Sequence, residues 1–319
     1  QYAGIGDLNG DDKDDVLLRH TDGRWYYYPM DGKNPIAAQA GFANLIKNTD
    51  WALPRPANNI VFVTSTTQNA NLGGLAGADA ICNARAAAAA LPGTYVAWMS
   101  TSTVDARDRL AGARGWVRPD GLPFADTVAD LTAGRIFYPP RLDEFGNDVG
   151  VSTTLTATRS DGTLDTGPTY SNCMDWTDDD VNSIVKGGYT DGTKQIWTSF
   201  VSFRCDRLSN LYCFGIDNAT QVSRPAATGR LAFASDSVFA PSTGLAVADS
   251  LCQNDATAAS LPGTYKALLA TENVHAASRF NLTGSTWVRP DGVKVVEQAS
   301  NLTDPQLFAP INLQADGIT

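Results

Sequence analysis

Histidine is scarce in this chain of 319 residues: only His20 and His275 occur. A multi-histidine metal centre or a histidine-based triad has too few residues to build on. Charged residues are also sparse, at 18%, and acid exceeds base, with 34 Asp plus Glu against 24 Lys plus Arg for a formal charge of -10. That balance lacks the basic footprint of a nucleic-acid binder and suits cation binding instead. No apolar run approaches the roughly eighteen residues of a membrane span, so no membrane insertion is expected. No Cys-x-x-Cys pair occurs, which removes the usual zinc and dithiol motifs. The opening Gln-Tyr-Ala-Gly has neither the basic nor the apolar region of a secretory leader, and Gln1 is not an initiator Met, which reads as a processed chain or a fragment.

What is present is enough for a core: 43% of residues are hydrophobic, and the length suits two domains or three small ones. The five cysteines are Cys82, Cys173, Cys205, Cys213 and Cys252. Two disulfides plus one leftover thiol fit that number and favour an oxidising compartment; five reduced, buried thiols are the competing reading.

The chain repeats itself. Leu75-Ala76-Gly77-Ala78-Asp79-Ala80-Ile81-Cys82 aligns with Leu245-Ala246-Val247-Ala248-Asp249-Ser250-Leu251-Cys252, and Leu91-Pro92-Gly93-Thr94-Tyr95 recurs as Leu261-Pro262-Gly263-Thr264-Tyr265. Trp116-Val117-Arg118-Pro119-Asp120-Gly121 recurs as Trp287-Val288-Arg289-Pro290-Asp291-Gly292. The offset is 170 in the first two blocks (252 - 82) and 171 in the third (287 - 116). Thr319 corresponds to about position 148 of the first copy, so the second lacks counterparts of Cys173, Cys205 and Cys213. Linkers at 53–57 and 223–227 divide the chain into 1–57, 58–220 and 229–319.

Within one copy, Ile60–Thr64 is β-branched and aromatic and reads as a strand. Leu75–Leu91 has helical spacing and stops at Pro92-Gly93. Tyr95–Met99, Gly134–Phe137, Gln195–Phe203 and Leu211–Ile216 read as further strands, giving an α+β fold. Arg118-Pro119-Asp120-Gly121 reads as a turn, with Arg118 bridging to a carboxylate. Asp105, Arg107, Asp108 and Arg109 read as ion-paired surface charge.

The acidic segment Asp7-Leu8-Asn9-Gly10-Asp11-Asp12-Lys13-Asp14-Asp15 carries the clearest chemistry. Calcium takes six to eight oxygens at about 2.3–2.6 Å. Side chains at alternate loop positions converge, so Asp7, Asn9, Asp11 and Asp15, with the carbonyl of Lys13, form a Ca2+ ligand set. Without a cation these carboxylates repel one another. No glutamate stands at loop position twelve, so this is not an EF-hand. Residues 3 to about 51, with Ile5 before the loop, Val16-Leu17-Leu18-Arg19 after it and Trp25-Tyr26-Tyr27-Tyr28 further on, resemble one blade of an FG-GAP (VCBS-type) propeller repeat. A lone blade is marginal by itself and needs something to pack on.

The repeated module resembles a bacterial family of unknown function in the endostatin-like, C-type-lectin-like group. The resemblance rests on Val61-Phe62-Val63-Thr64-Ser65, Gly74 through Cys82, Leu91 to Tyr95, Val117 to Gly121, Asn172-Cys173, Trp176-Thr177 and Leu211-Tyr212-Cys213-Phe214. It implies disulfides Cys82–Cys213 and Cys173–Cys205, with Cys252 in the place of Cys82. Asp175, Asp178, Asp179 and Asp180 form a candidate second metal or ligand site, against a bland reading of a solvated loop with Trp176 in the core. The Glu-Pro-Asn and Gln-Pro-Asp tripeptides of sugar-binding lectins do not occur.

Together these readings lead to the expectation of a non-enzymatic, calcium-binding structural or adhesive protein at the cell surface or outside the cell. It is expected to self-associate or bind other surface proteins, joining head to tail into filaments through incomplete terminal domains. Calcium-dependent carbohydrate binding, with glycans as partners, is the alternative.

Overall fold

The computed structural model divides the chain into two units, Gln1–Arg55 and Pro56–Thr319. It describes the backbone of 2–6, 15–19, 25–28, 30–31 and 34–35 in the first unit, and in the second 58–319 apart from 166, 168, 170, 304–306 and 319. Helices and strands both occur, and the class is mixed α+β.

In the first unit, β1 (Tyr2–Gly6), β2 (Asp15–Arg19) and β3 (Trp25–Tyr28) form an antiparallel sheet in that order. A short pair, β4 (Met30–Asp31) and β5 (Asn34–Pro35), follows. Asp7, Asn9, Asp11 and Lys13 lie outside the described residues, and Asp15 is the first residue of β2.

The second unit begins with β6 (Asn59–Val63), α1 (Gly74–Ala88), β7 (Tyr95–Ala97), β8 (Trp116–Val117), β9 (Pro123–Ala125) and α2 (Val128–Thr132). Then come β10 (Thr153–Leu155), β11 (Ile184–Tyr189), β12 (Val201–Arg204) and β13 (Tyr212–Gly215). The second copy supplies β14 (Arg230–Leu231), α3 (Leu245–Ala258) and β15 (Trp287–Val288).

The main sheet runs β7-β13-β6-β8-β9, with β13 antiparallel to both neighbours and β6 parallel to β8. Side chains alternate across it, as the period of two requires. Phe62 and Cys213 join the core cluster that holds Ala78, Cys82, Ala86, Tyr95 and Trp176. Val61, Val63, Tyr212 and Phe214 join the other, with Trp98, Trp116, Phe124 and Trp197. The second cluster is an aromatic lattice: Trp98–Trp197 centroids lie 5.0 Å apart, Trp98–Phe214 5.6 Å and Trp116–Phe214 5.7 Å. On α1 the buried residues are Ala78, Cys82 and Ala86, one small residue per turn, which lets the helix lie close. Gly77 shows how close: a Cβ there would come 1.8 Å from the Leu72 carbonyl oxygen.

Two expected strands take other forms. Gly134–Phe137 is irregular and attaches to the sheet edge by Phe137 N–H to Phe124 O at 2.9 Å. Within Gln195–Phe203, the Gln195–Ser199 stretch is turns and only Val201–Arg204 pairs. Its apolar pattern reflects core filling from a loop: Trp197 is buried, and Thr198 Oγ1 accepts Trp98 Nε1–H at 2.8 Å while donating to Thr158 O at 3.0 Å.

Cys82 is bonded to Cys213 and Cys173 to Cys205, across 131 and 32 residues. On the chain-entropy account, closing loops of those lengths contributes about 5 and about 4 kcal/mol. The second bond anchors a left-handed turn built without glycine: Cys173, Met174, Asp175 and Trp176 have φ of 51°, 51°, 57° and 69°. Such backbone costs roughly 1–2 kcal/mol per residue. It is held by the Trp176 carbonyl accepting from Leu72 N–H at 2.9 Å, by Trp176 Nε1–H donating to Ser100 O at 2.8 Å, and by the Asp175 carboxylate.

Met174 is 72% exposed in that turn. Met174→Gly is therefore expected to stabilise the unit by about 0.5–1 kcal/mol, read as a rise of roughly 1–4 °C in thermal midpoint. Cys82→Ala with Cys213→Ala is expected to cost about 5 kcal/mol in a denaturant titration, more than the Cys173/Cys205 pair.

Candidate functional site

The acidic residues 175–180 are not brought to one point. Asp175 Oδ1 and Oδ2 accept Ser102 N–H and Oγ–H at 2.7 and 2.6 Å. Asp179 Oδ2 accepts from Asn69 at 2.8 Å, and Asp180 Oδ1 accepts the Asn182 backbone and amide at 3.0 Å each. Asp178 is bonded through its own N–H to Cys173 O at 3.2 Å. Among the described residues, no group of three or more His, Cys, Asp or Glu converges as a metal ligand set. These carboxylates shape loops, and Trp176 beside them is buried.

One polar constellation recurs in both copies. Asp79 and Asn83, four apart on one face of α1, bind the backbone of β7. Asp79 Oδ1 accepts Ala97 N–H at 2.9 Å, while Asn83 accepts Tyr95 N–H at 3.0 Å and donates to Tyr95 O at 2.7 Å. Arg109 forks onto both Asp79 oxygens at 2.6 and 2.5 Å and also donates to Ala97 O. Arg109 is thus nearly enclosed, with 8% of its side chain exposed, rather than surface charge as its sequence neighbourhood suggests. In the second copy, Asp249 accepts Ala267 N–H at 2.9 Å, Gln253 accepts Tyr265 N–H at 3.0 Å, and Arg279 forks onto Asp249 at 2.6 Å. Burial works to raise the Asp249 carboxyl, but the Arg279 fork and the Ala267 N–H hold it below the ordinary aspartate range. Both acids precede their arginines by 30 residues (109 - 79 and 279 - 249), a sequence signal that the sign of the charges alone conceals.

The copies meet through equivalent positions. Tyr138, Val293 and Ala309 are buried together with Leu122, Phe137 and Phe308 packed against them; at offset 171 these are three matched pairs, Leu122/Val293, Phe137/Phe308 and Tyr138/Ala309. Arg289 Nη2–H donates to Ile136 O at 3.2 Å, and Arg141 Nη1–H donates to Leu307 O at 2.9 Å; Ile136 and Leu307 are again equivalents. Arg118 bridges to Asp120, as the turn reading expects, and donates to Pro139 O at 3.2 Å. Its twin Arg289 holds Asp291 through Nε at 3.1 Å and Nη2 at 2.6 Å, and donates to Asn312 Oδ1 at 2.9 Å. Asn312 Nδ2 in turn donates to Thr193 Oγ1 of the first copy at 2.8 Å. Beside this seam is a groove of about 670 Å³, lined by Asp191, Thr193, Lys194 and Asn312 together with apolar Ile196 and Pro310.

The second copy also reproduces the register of the first. Arg230 and Leu231 pair with Trp287 and Val288 as Asn59 and Ile60 pair with Trp116 and Val117, both in parallel. Phe233 and Tyr265 sit 5.3 Å apart, as Phe62 and Tyr95 do. The difference is on the far edge of β14: where β13 lies between β6 and β7 in the first copy, no strand is present among the described residues. Trp116 Nε1–H donates to Gly215 O of β13 at 2.9 Å, whereas Trp287 Nε1–H donates to Ala299 O at 3.2 Å. Cys252, at the position of Cys82, is a free thiol, raised by its burial and by Asp255 and Asp249 nearby.

Asp79→Ala leaves the enclosed Arg109 without its partner and is expected to cost about 3 kcal/mol in denaturant titration, at the low end for a buried pair because Asp79 is partly solvated. For Asp249, the folded state binds its proton less readily than the unfolded chain. The stabilisation is therefore full well above the unfolded value of about 3.9 and is lost as pH falls through that value and below. Urea midpoints between about pH 6 and pH 3 should fall less in Asp249→Asn than in the native chain.

A scan against models of known protein families finds no match for this chain, and a search of curated proteins finds none either.

Proposed function

We propose that this chain is a non-enzymatic, extracellular, calcium-binding structural or adhesive protein. In this reading an FG-GAP-type blade precedes two C-type-lectin-like modules, and chains associate with one another or with other surface proteins. The observation that carries the reading is a unit locked by two disulfides and by arginine–carboxylate pairs, with apolar side chains exposed on its second copy. Leu268 and Leu269 are 42% and 36% exposed there, whereas their equivalents Trp98 and Met99 are fully buried. Side chains so placed are available to pack against a further segment or a partner. Two disulfides fit an oxidising compartment. No helix among the described residues is long and apolar enough to cross a membrane. The arginine–carboxylate pairs at Asp79, Asp120, Asp249 and Asp291 hold backbone in place, which supports a scaffold over a reaction centre.

The second reading is calcium-dependent carbohydrate binding. The groove beside the seam favours it, because hydroxyl, amide and carboxylate atoms of Thr193, Asn312 and Asp191 match sugar hydroxyls. Its described lining contains no aromatic ring on which a sugar face could stack, which places this reading second.

Calcium in excess is expected to raise the melting temperature of the chain, by the equivalent of about 2.7 kcal/mol at a hundredfold excess over Kd. Chelator should reverse the gain, and Asp11→Ala should abolish it. Light scattering is expected to show concentration-dependent polymer with calcium; a monodisperse monomer under all conditions would sink the assembly reading. A glycan array with calcium and then chelator separates the second reading from the first.

A further inference from the structure

The two disulfides of the first copy sit in unlike surroundings. Cys82 and Cys213 belong to α1 and β13, β13 is paired on both edges, and neither cysteine has a positive φ. With that bond open, helix and sheet still hold the two sulfurs face to face, at a high effective concentration for re-closure. Cys173 instead begins the left-handed turn, in which Cys173, Met174, Asp175 and Trp176 all have positive φ and none is glycine. Each of these residues is held against its backbone preference. Strain of this kind persists only where the surroundings impose it, and it gathers in segments that switch. Here it is imposed by the Cys173–Cys205 bond at one end and by hydrogen bonds along the turn. The Asp175 carboxylate accepts Ser102 N–H and Oγ–H, Leu72 N–H donates to Trp176 O, and the Trp176 indole donates to Ser100 O. Both sulfur pairs are buried, so exposure of the sulfurs does not separate them. The outer face of the turn does, because Met174, Thr177, Asp179 and Asp180 are exposed.

We propose that the Cys173–Cys205 bond is a redox latch: a dithiol reductant of the thioredoxin type opens it selectively, and the turn at 172–178 then leaves its left-handed form while the main sheet stays closed. The latch needs neither calcium nor association. Local opening of the exposed turn gives the reductant its access. One thiolate of the dithiol attacks the Cys173 sulfur, the Cys173–Cys205 bond breaks, and Cys205 leaves as a thiolate. The second thiol of the reductant then displaces Cys173 from the mixed disulfide. The dithiol ends as a disulfide, and its two protons end on Cys173 and Cys205. Relief of the turn drives the exchange forward, because it carries Cys173 away from Cys205 and lowers their effective concentration. Relaxation of 173–176 also frees Leu72 N–H, just ahead of α1, and the two Ser102 donors after β7. One surface of the first copy is thereby loosened, and β6, β7 and β13 remain tied by their ladders and by Cys82–Cys213.

The test uses the full oxidised chain, with the free Cys252 alkylated first, in buffers of reduced and oxidised dithiothreitol. Each cysteine is then labelled and read by peptide mass. Cys82–Cys213 should need a ratio of reduced to oxidised reagent at least about tenfold higher for half-reduction than Cys173–Cys205. At the ratio that opens only the latch, hydrogen exchange should quicken at 72 and 174–178 and stay slow at 59–63, 95–97 and 212–215. Oxidised reagent should restore the slow exchange. Met174→Gly relieves one left-handed position on the exposed face and should raise the ratio for the latch by about two- to fivefold. Reduction of both bonds at one ratio, loss of protection across the sheet when only Cys173 and Cys205 are labelled, or a Met174→Gly midpoint that does not rise would each overturn the proposal.

Discussion

The fold of the second unit depends on one strand being gripped from three sides. β13 bonds to β6 on one edge and β7 on the other, and its Cys213 is tied covalently to α1 beneath. Its two aromatics face away from the helix into the tryptophan cluster. The first copy is arranged around that element: Asp79 and Asn83 of α1 hold β7, and Trp98, Trp116, Phe124 and Trp197 pack on its aromatic side. Because β13 comes near the end of the module, the sheet closes only when more than a hundred intervening residues have been placed. Such closure is non-local and entropically costly, and the long Cys82–Cys213 loop offsets part of that cost by restricting the unfolded chain.

A comparison internal to the chain makes the role of the strand visible. The second copy keeps the helix, the clamp, the parallel pair and the aromatic couple with no strand in the middle among the described residues. What changes is local and interpretable. The indole of Trp287 turns to a different carbonyl, and the Arg230 guanidinium stacks 4.3 Å from the ring centroid, covering a face that the first copy buries in its core. The rest of the module is thus held by interactions that do not need the strand.

Much of the fold could be read from residues, and the limits are equally physical. The β-branched and aromatic run Ile60–Thr64 and the spacing of Ala78, Cys82 and Ala86 report burial directly, and the repeated blocks report the duplication. The pairing of the four bonded cysteines came from resemblance, since spacing alone leaves several pairings open. Arg109 was misplaced because a guanidinium in a charged stretch looks the same whether it faces water or a carboxylate thirty residues away. The left-handed turn at Cys173–Trp176 carries no glycine or asparagine within it, so nothing in its composition announces it. Gln195–Phe203 has the content of a strand, yet it folds as turns because Trp197 and Thr198 are needed in the core. The seam between the copies is not legible for a different reason: Phe137 and Phe308 report that they are apolar, not that they will pack against one shared cluster.

The seam between the copies has a consequence for the surface it covers. A patch that matches its own duplicate is self-complementary, the property of an isologous contact, and such contacts close on themselves. Fusing the duplicates in one polypeptide sets their effective concentration in the millimolar range, so even a weak patch stays satisfied internally. It is thereby withdrawn from any further partner. The apolar surface around Phe137 and Phe308 is spent within the chain.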